Sequence, residues 1–339
     1  MYICVKLNLK VDKYLEKSLI DYERNFKKEI HRMDKLFHEK GYTYEIRYKE
    51  INNEISYNCK HLVLLTAKEK YTKECKGCRF KYSFSSYWSN SSYSLDKFAL
   101  HLQLGLSKRK QILSIPYYFS EQQWSRMSNG NIMNMKILYL NHKWFSLIYI
   151  DMPVEKLKSG KVMGIDIGIK VPAVTAIDET HVKFFGNGRE MRYQLRKYRS
   201  HIHEMQLNNQ KKKLKSFDHK LHNVMNDYDH KISREIIDYA LKEGVSIIKL
   251  ERLWSITSKI EKSDSVELHQ WSYRRLQEYI AYKAQLNGIH VQYINPYNTS
   301  KKCPACGKLN KANDRKYICS CGYSGHRDAV GAINILHAL

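Results

Sequence analysis

No apolar run in this 339-residue chain approaches the roughly 18 residues that a membrane-spanning helix needs. The longest, such as Leu62 to Leu65 and Phe145 to Ile150, are only strand-sized, so a spanning segment is excluded and no membrane partner is expected. The opening residues, Met1-Tyr2-Ile3-Cys4-Val5-Lys6-Leu7, alternate apolar and polar side chains and lack the charged-then-apolar order of a secretory leader. The protein is therefore expected to be soluble, not exported, and cytoplasmic. Acidic residues are also scarce: 34 Asp and Glu face 58 Lys and Arg, a formal charge of +24 with His neutral. Such an excess argues against a small-molecule enzyme without a polyanionic partner and points to nucleic acid. A disordered basic tail is excluded in turn, because 43% of the residues are hydrophobic and 26 are Tyr, ample for a buried core. The length suits roughly two domains. Without a leader, the eight cysteines read as reduced thiols or metal ligands, not as a disulfide framework.

Residues 1 to 10 read as a strand. Residues 12 to 40 read as a helix, with Leu15, Leu19, Tyr22, Phe26, Ile30, Met33 and Phe37 at spacings of three and four and Gly41 as its stop. Residues 111 to 150 return to β character in three runs, Ile112 to Phe119, Ile132 to Leu140 and Lys143 to Ile150, separated by Asn-Gly and Asn-His turn signals. Between these parts, residues 83 to 96 are dense in Ser, Tyr, Trp and Asn, which suits an exposed loop or a stacking surface and predicts no firm structure. Past Pro153 a sheet is expected from residue 161: two strands within Lys161 to Asp178, then Val182 to Phe185. A helical hairpin follows over Arg189 to Tyr239, broken at Asn208 to Lys213. Its residues 189 to 222 carry a net charge of +7, ten Lys or Arg less three acids, and read as a phosphate-contacting surface. Val245 to Leu250, a helix over 266 to 287 and His290 to Ile294 then alternate as in an α/β fold.

Two close cysteine pairs, Cys303-Pro304-Ala305-Cys306-Gly307 and Cys319-Ser320-Cys321-Gly322, have the arrangement of a small zinc ribbon. Four thiolates close a tetrahedral site, and a module this poor in apolar residues needs the metal to fold. The second pair is unusual in having one intervening residue where two are commoner. Cys59, His61, Cys75 and Cys78 form a second set with a weaker signal, since only Cys75-Lys76-Gly77-Cys78 has knuckle chemistry.

Three acids sit where acids are costly. Asp166 interrupts the apolar strand Val162-Met163-Gly164-Ile165-Asp166-Ile167-Gly168, Glu251 ends Ile247-Ile248-Lys249-Leu250, and Asp328 opens the apolar helix Ala329 to Leu336. Singly, each suits a strand end or a helix cap. Together they offer the hard oxygen ligands that Mg²⁺ prefers, and two such ions would support phosphodiester hydrolysis.

With Gly164 to Gly168 and Leu250-Glu251, the segments Thr299 to Gly307 and Arg327-Asp328-Ala329-Val330-Gly331-Ala332-Ile333-Asn334-Ile335 resemble TnpB, the transposon-encoded RNA-guided nuclease; compact type V CRISPR effectors are similar. The resemblance covers residues 161 to 339, and the order Asp, Glu, ribbon, Asp is specific. Over residues 1 to 160 it is architectural only. Val330-Gly331 departs from the Asn-Ala that many relatives carry.

The resemblance implies an α/β RNase H-like (RuvC-like) nuclease domain over 159–299, with its hairpin at 189–240. It further implies an inserted zinc ribbon at 300–325 and a closing helix at 326–339. The front half becomes a β-barrel-like wedge module, residues 1–11 and 109–158, carrying a helical recognition insertion at 12–108. Asp166, Glu251 and Asp328 carry over as ligands of two magnesium ions, Arg327 as a candidate for positioning the phosphate, and Cys303, Cys306, Cys319 and Cys321 as zinc ligands. The implied partners are a guide RNA and target double-stranded DNA, with one or two chains per RNA, and the implied activity is RNA-guided cleavage of DNA. Tyr, Ser and Asn around residues 82 to 94 are candidate contacts to the DNA motif beside the target. Two other readings stay open: an RNA-guided repressor that binds without cutting, and an RNase H-like transposase or resolvase working without RNA. Retention of all three acids argues against the first, and the ribbon just before the last acid argues against the second.

Overall fold

The computed structural model describes residues 1–52, 55–76, 85–104, 111–157, 159–168, 170–252 and 264–338. The chain forms two compact units, Met1–Pro153 and Val154–Leu339.

In the first unit, strand β1 (Tyr2–Leu9) leads into helix α1 (Lys13–Lys40) and helix α2 (Lys60–Cys75). Short strands β2 (Ser85–Trp88), β3 (Tyr93–Leu95) and β4 (Ala99–Leu104) follow. Strand β5 (Gln111–Tyr118), helix α3 (Glu121–Asn129) and strands β6 (Asn131–Leu140) and β7 (Lys143–Asp151) complete it. Asp12 caps α1 by accepting from the Leu15 amide, and Gly41 ends it at φ +92°, a conformation that side-chain-bearing residues rarely adopt. The apolar stripe read from the sequence is the buried one: Leu19, Tyr22, Phe26, Ile30, Met33 and Phe37 pack into a core with Val5, Leu7 and Leu9 of β1.

The strands form one seven-stranded sheet in the order β2-β6-β7-β1-β5-β4-β3, with antiparallel neighbours throughout. Among the described residues, no pairing joins its edge strands β2 and β3, so the expected barrel-like module is an open sheet. Two sequence readings are corrected here. The stretch 83 to 96, read as a loop, holds strands β2 and β3 in its described part, and β2 joins the sheet edge by pairing with β6, with Trp88 buried and stacked on Tyr22 at 4.2 Å. The helical part therefore gives way to sheet well before residue 108. The Asn-Gly signal at 129–130 is not a hairpin turn, because α3, capped by Ser120 and Gln123, stands between β5 and β6.

The second unit begins with β8 (Lys161–Asp166), β9 (Ala173–Ala176) and β10 (Val182–Phe185). Helices α4 (Gly188–Leu207) and α5 (Lys211–Lys242) form the hairpin. Next come β11 (Val245–Glu251), α6 (Asp264–Leu286) and β12 (His290–Ile294). The small strands β13 (Lys316–Ile318) and β14 (Ser324–His326) precede α7 (Arg327–His337). The sheet order is β10-β9-β8-β11-β12: the first three strands are antiparallel, and β11 runs parallel to both β8 and β12. Helix α7 lies directly on β8. A β-carbon at Gly164 would stand 2.3 Å from the carbonyl oxygen of Ala332 and 2.4 Å from the amide nitrogen of Leu336. From β11, the Lys249 ammonium donates to the Leu336 and Ala338 carbonyls, satisfying the end of α7. Between α5 and α6, Arg275 reaches Asp229 in a fully buried ion pair with N–O distances of 2.6 and 2.7 Å.

Candidate metal centre and zinc-ribbon site

Strand register brings the first two acids together. Ile165 pairs with Leu250 across the parallel strands β8 and β11, so Asp166 and Glu251 follow side by side at the same end of the sheet. Neighbouring strands lie about 4.8 Å apart, so both carboxylates share one small volume. The third acid arrives on a helix. Asp328 is the second residue of α7, where unpaired backbone amides favour a negative charge, and His326 caps the same turn. Helix α7 approaches so closely that a β-carbon at Gly331 would lie 2.6 Å from Oδ2 of Asp166. Glycine at this position therefore leaves space for the Asp166 carboxylate.

The electrostatics record the crowding. Burial is the main force raising the Asp166 carboxyl to about 8; the negative charges of Glu251 and Asp328 add to it, and Arg327 together with the Ile167 amide only partly opposes them. Glu251 is raised as well, by burial, although the Thr299 hydroxyl donates to its Oε1. Asp328 is held by a cation: one guanidinium nitrogen of Arg315 donates to both of its oxygens. A cluster of carboxylates in a desolvated pocket, two of them with no cationic side chain bonded to them, is the donor chemistry that a divalent cation satisfies. An ion bound through Asp328 would require Arg315 to release at least one of its bonds.

Sequence reasoning found the acids but missed the residues that hold them. Arg315, immediately before β13, is the arginine bonded to Asp328. Arg327 itself is exposed at the start of α7, within the field of Asp166. The only signal for Arg315 was its position four residues before Cys319. Thr299 lay within a segment already singled out, and its carbonyl also accepts from Asn334 of α7. Gln277 of α6 donates from Nε2 to the Glu251 carbonyl at 2.9 Å.

The four ribbon cysteines converge. Their sulfurs all lie within 4.8 Å of one another, with Cys303–Cys321 at 3.7 Å and Cys306–Cys319 at 3.5 Å. Tetrahedral zinc with bonds of about 2.3 Å spaces its sulfurs by roughly 3.8 Å, so the donor set fits that ion. The two knuckles match despite the shorter second pair: Gly307 and Gly322 adopt φ of +73° and +91°, and their amides donate to the Cys303 and Cys319 carbonyls. Amide donation from Cys321 is the leading cause that holds the Cys319 thiol down, to about 6.

The second cysteine set does not assemble. Cys59 and Cys75 stand at opposite ends of α2, about 24 Å apart at 1.5 Å per residue. Cys59 is buried, its sulfur 3.0 Å from the Ser92 hydroxyl, where it packs in the core; Cys75 is exposed, His61 is half-buried near the start of α2, and Cys78 lies outside the described residues.

Comparison with known proteins agrees with this geometry. Residues 147–257 match a family model described as a probable transposase, OrfB of the IS605 type. Residues 273–335 match the Cas12f1-like TNB domain, so the two matches take in the sheet, the ribbon and all three acids. Over these segments the chain is similar to TnpB-like and Cas12f1-like proteins. A TnpB-like protein of Methanocaldococcus jannaschii is 37% identical over 114 residues, 32% of this chain and 41% of that protein. The CRISPR-associated endodeoxyribonuclease Cas12f1 of Sulfoacidibacillus thermotolerans is 30% identical over 214 residues, 57% of this chain and 50% of its own length. The chain thus spans half or less of the length of these curated relatives. In fold the likeness is wider: a solved chain from a Cas12f1–sgRNA–target DNA complex superposes with a TM-score of 0.71 over 99% of both chains at 13% identity. Among the described residues, no helix is long and apolar enough to cross a membrane.

Proposed function

We propose that this protein is an RNA-guided DNA endonuclease that cuts at the Asp166–Glu251–Asp328 site. The observation that carries the reading is the placement of three acids at one end of the sheet, with Asp166 buried and raised to about 8 first by that burial and then by the charges of Glu251 and Asp328. A protein holds such an arrangement at a cost in stability, and a function that requires cations there accounts for it. The second sheet, with three antiparallel strands followed by two parallel ones and acids at the ends of β8 and β11, supports an RNase H-like, RuvC-like assignment. The first unit, an antiparallel sheet carrying α1 and α2, is read as the wedge and recognition part.

Asp166, Glu251 and Asp328 would hold two magnesium ions, which when bound activate a water and stabilise the departing 3′ oxygen. The remaining steps belong to the chain. Thr299 orients Glu251 through its hydroxyl, Gly331 leaves Asp166 its position, and Arg315 neutralises Asp328 until substrate and cations arrive. The guide would be RNA and the target double-stranded DNA, in keeping with the relatives' names, with a net charge of +24 and with the exposed basic side chains of α4 and α5. The four ribbon cysteines would bind zinc, stabilising the short module from which Arg315 projects.

The guanidinium on Asp328 is the observation that favours the second reading, a guided DNA binder that does not cut. One experiment separates the two. Protein purified from cells expressing its own locus is assayed, with its co-purifying RNA, on a plasmid bearing the matching target, with Mg²⁺ or with EDTA. Linearisation that needs both Mg²⁺ and the matching target, and is lost in Asp166→Ala, supports the nuclease. Guided binding without cleavage supports the binder, and tight sequence-specific binding to duplex without RNA overturns both.

A further inference from the structure

Buried polar atoms without a hydrogen-bond partner are rare in folded proteins, and each calls for a reason. Among the described residues six side-chain atoms are of this kind, and three of them, Tyr273 Oη, Gln277 Oε1 and Arg315 Nε, belong to residues tied to the acid site. Arg315 holds Asp328, and Gln277 holds the backbone of Glu251. Tyr273 lies one helical turn before Gln277 on the same face of α6, and its hydroxyl sits in the fields of Arg192, Arg315 and Asp166. Helix α6 is fixed on two sides, by Arg275 to Asp229 of α5 and by Gln277 to the end of β11. The hydroxyl therefore has a rigid support and, among the described residues, nothing to bond.

Its chemistry selects the missing partner. Burial keeps the phenol protonated, so it can donate. The two guanidinium groups make the surroundings attractive to an anion, and Asp166, whose charge also reaches the hydroxyl, belongs to the site where a phosphodiester would be cut.

Resting on the nuclease reading above, we infer that the Tyr273 hydroxyl donates a hydrogen bond to a non-bridging oxygen of the phosphodiester being cut, a substrate-positioning role not assigned by the sequence motifs.

The test is Tyr273→Phe in the complete ribonucleoprotein, with single-turnover cleavage, DNA binding and thermal melting measured together. The expected result is a cleavage rate lower by roughly tenfold to a hundredfold, with DNA affinity within about twofold of wild type. The melting temperature should stay the same or rise, because the substitution removes a buried hydroxyl that has no partner. Sulfur placed at either non-bridging position of the scissile phosphate gives a second readout. For one diastereomer the losses from sulfur and from Tyr273→Phe should not add, as expected of two groups in contact. Wild-type cleavage by Tyr273→Phe overturns the inference, as does a parallel fall in melting temperature and DNA binding, which marks a structural residue. Wild-type protein that is as inert as Asp166→Asn overturns the nuclease reading, and the inference with it.

Discussion

One guanidinium nitrogen of Arg315, Nη1, holds both carboxylate oxygens of Asp328, at 2.8 and 2.6 Å. Arg315 comes from the ribbon and Asp328 from α7, so the ion pair joins the cysteine module to the acid cluster. It also sets a competition, because a cation that takes Asp328 as a ligand must displace this guanidinium.

Arg315→Gln should therefore strengthen magnesium binding while weakening the metal-free protein. Removing one partner of a mostly buried pair costs about 1–3 kcal/mol, a value discounted for the 29% exposure of the Arg315 side chain. Melting curves across a magnesium titration check both effects. The half-maximal stabilising concentration should fall roughly tenfold, in line with a coupling of ordinary size. An unchanged midpoint would show that the ions do not engage Asp328.

The raised carboxyl of Asp166 predicts a pH dependence with a definite sign. In the unfolded chain this acid titrates near its ordinary 3.8, and in the folded metal-free protein near 8, so between these values the folded state holds the extra proton. Its contribution to stability is complete below about pH 4 and is lost as pH rises through 8. Asp166→Asn should flatten this component and raise metal-free stability at pH 8 by an amount on the order of 2 kcal/mol, while cleavage falls roughly a thousandfold or more. Denaturant unfolding of both proteins at pH 5 and pH 8 without divalent ions measures it. Equal pH slopes would remove Asp166 as the source.

Zinc analysis of the native protein should return about one ion per chain, since the four ribbon sulfurs converge on one tetrahedral site. A value near two would reopen the second cysteine set. Chelation followed by magnesium alone should fail to restore cleavage, because Arg315 and the entry to α7 depend on the ribbon; magnesium with zinc should restore it. Cys306→Ser should behave like the chelated protein.

Gly164→Ala should damage the second unit severely. The added carbon meets backbone atoms of Ala332 and Leu336, which cannot rotate away, so a cost of about 3 kcal/mol or more is expected. Gly325→Ala is the control. Its new carbon would meet only the Tyr323 ring and hydroxyl, 3.3 Å away at the nearest, and the change should stay within about 0.5 kcal/mol. Similar melting temperatures for the two variants would mean that α7 does not pack on β8 this tightly.

Legibility followed the range of the interactions. The stripe from Leu19 to Phe37 repeats within its own helix, and the knuckles of Cys303 to Cys306 and Cys319 to Cys321 are built from adjacent residues, so both were visible in the chain itself. Strands β2 to β4 were not. Strands β2 and β3 are only four and three residues long, too short for a period to show, and β2 takes its hydrogen bonds from β6, about fifty residues later. The proposed zinc set at Cys59 failed because spacing along the sequence does not reveal that a rigid helix keeps Cys59 and Cys75 apart.

The amino-acid sequence by itself determined a strongly basic character, the helical and strand segments with strong periodicity, the cysteine knuckles and the identity of three unusual acids. Each is a property of composition or of neighbours within a few residues. Only the tertiary structure decided that Asp166 and Glu251 emerge side by side, that Gly331 leaves room for one of them, that Arg315 holds the third acid and that the Tyr273 hydroxyl is buried without a partner among the described residues. Those relations depend on strand register and on how closely one helix approaches a sheet, and contacts between residues tens to more than a hundred positions apart leave no local pattern to read.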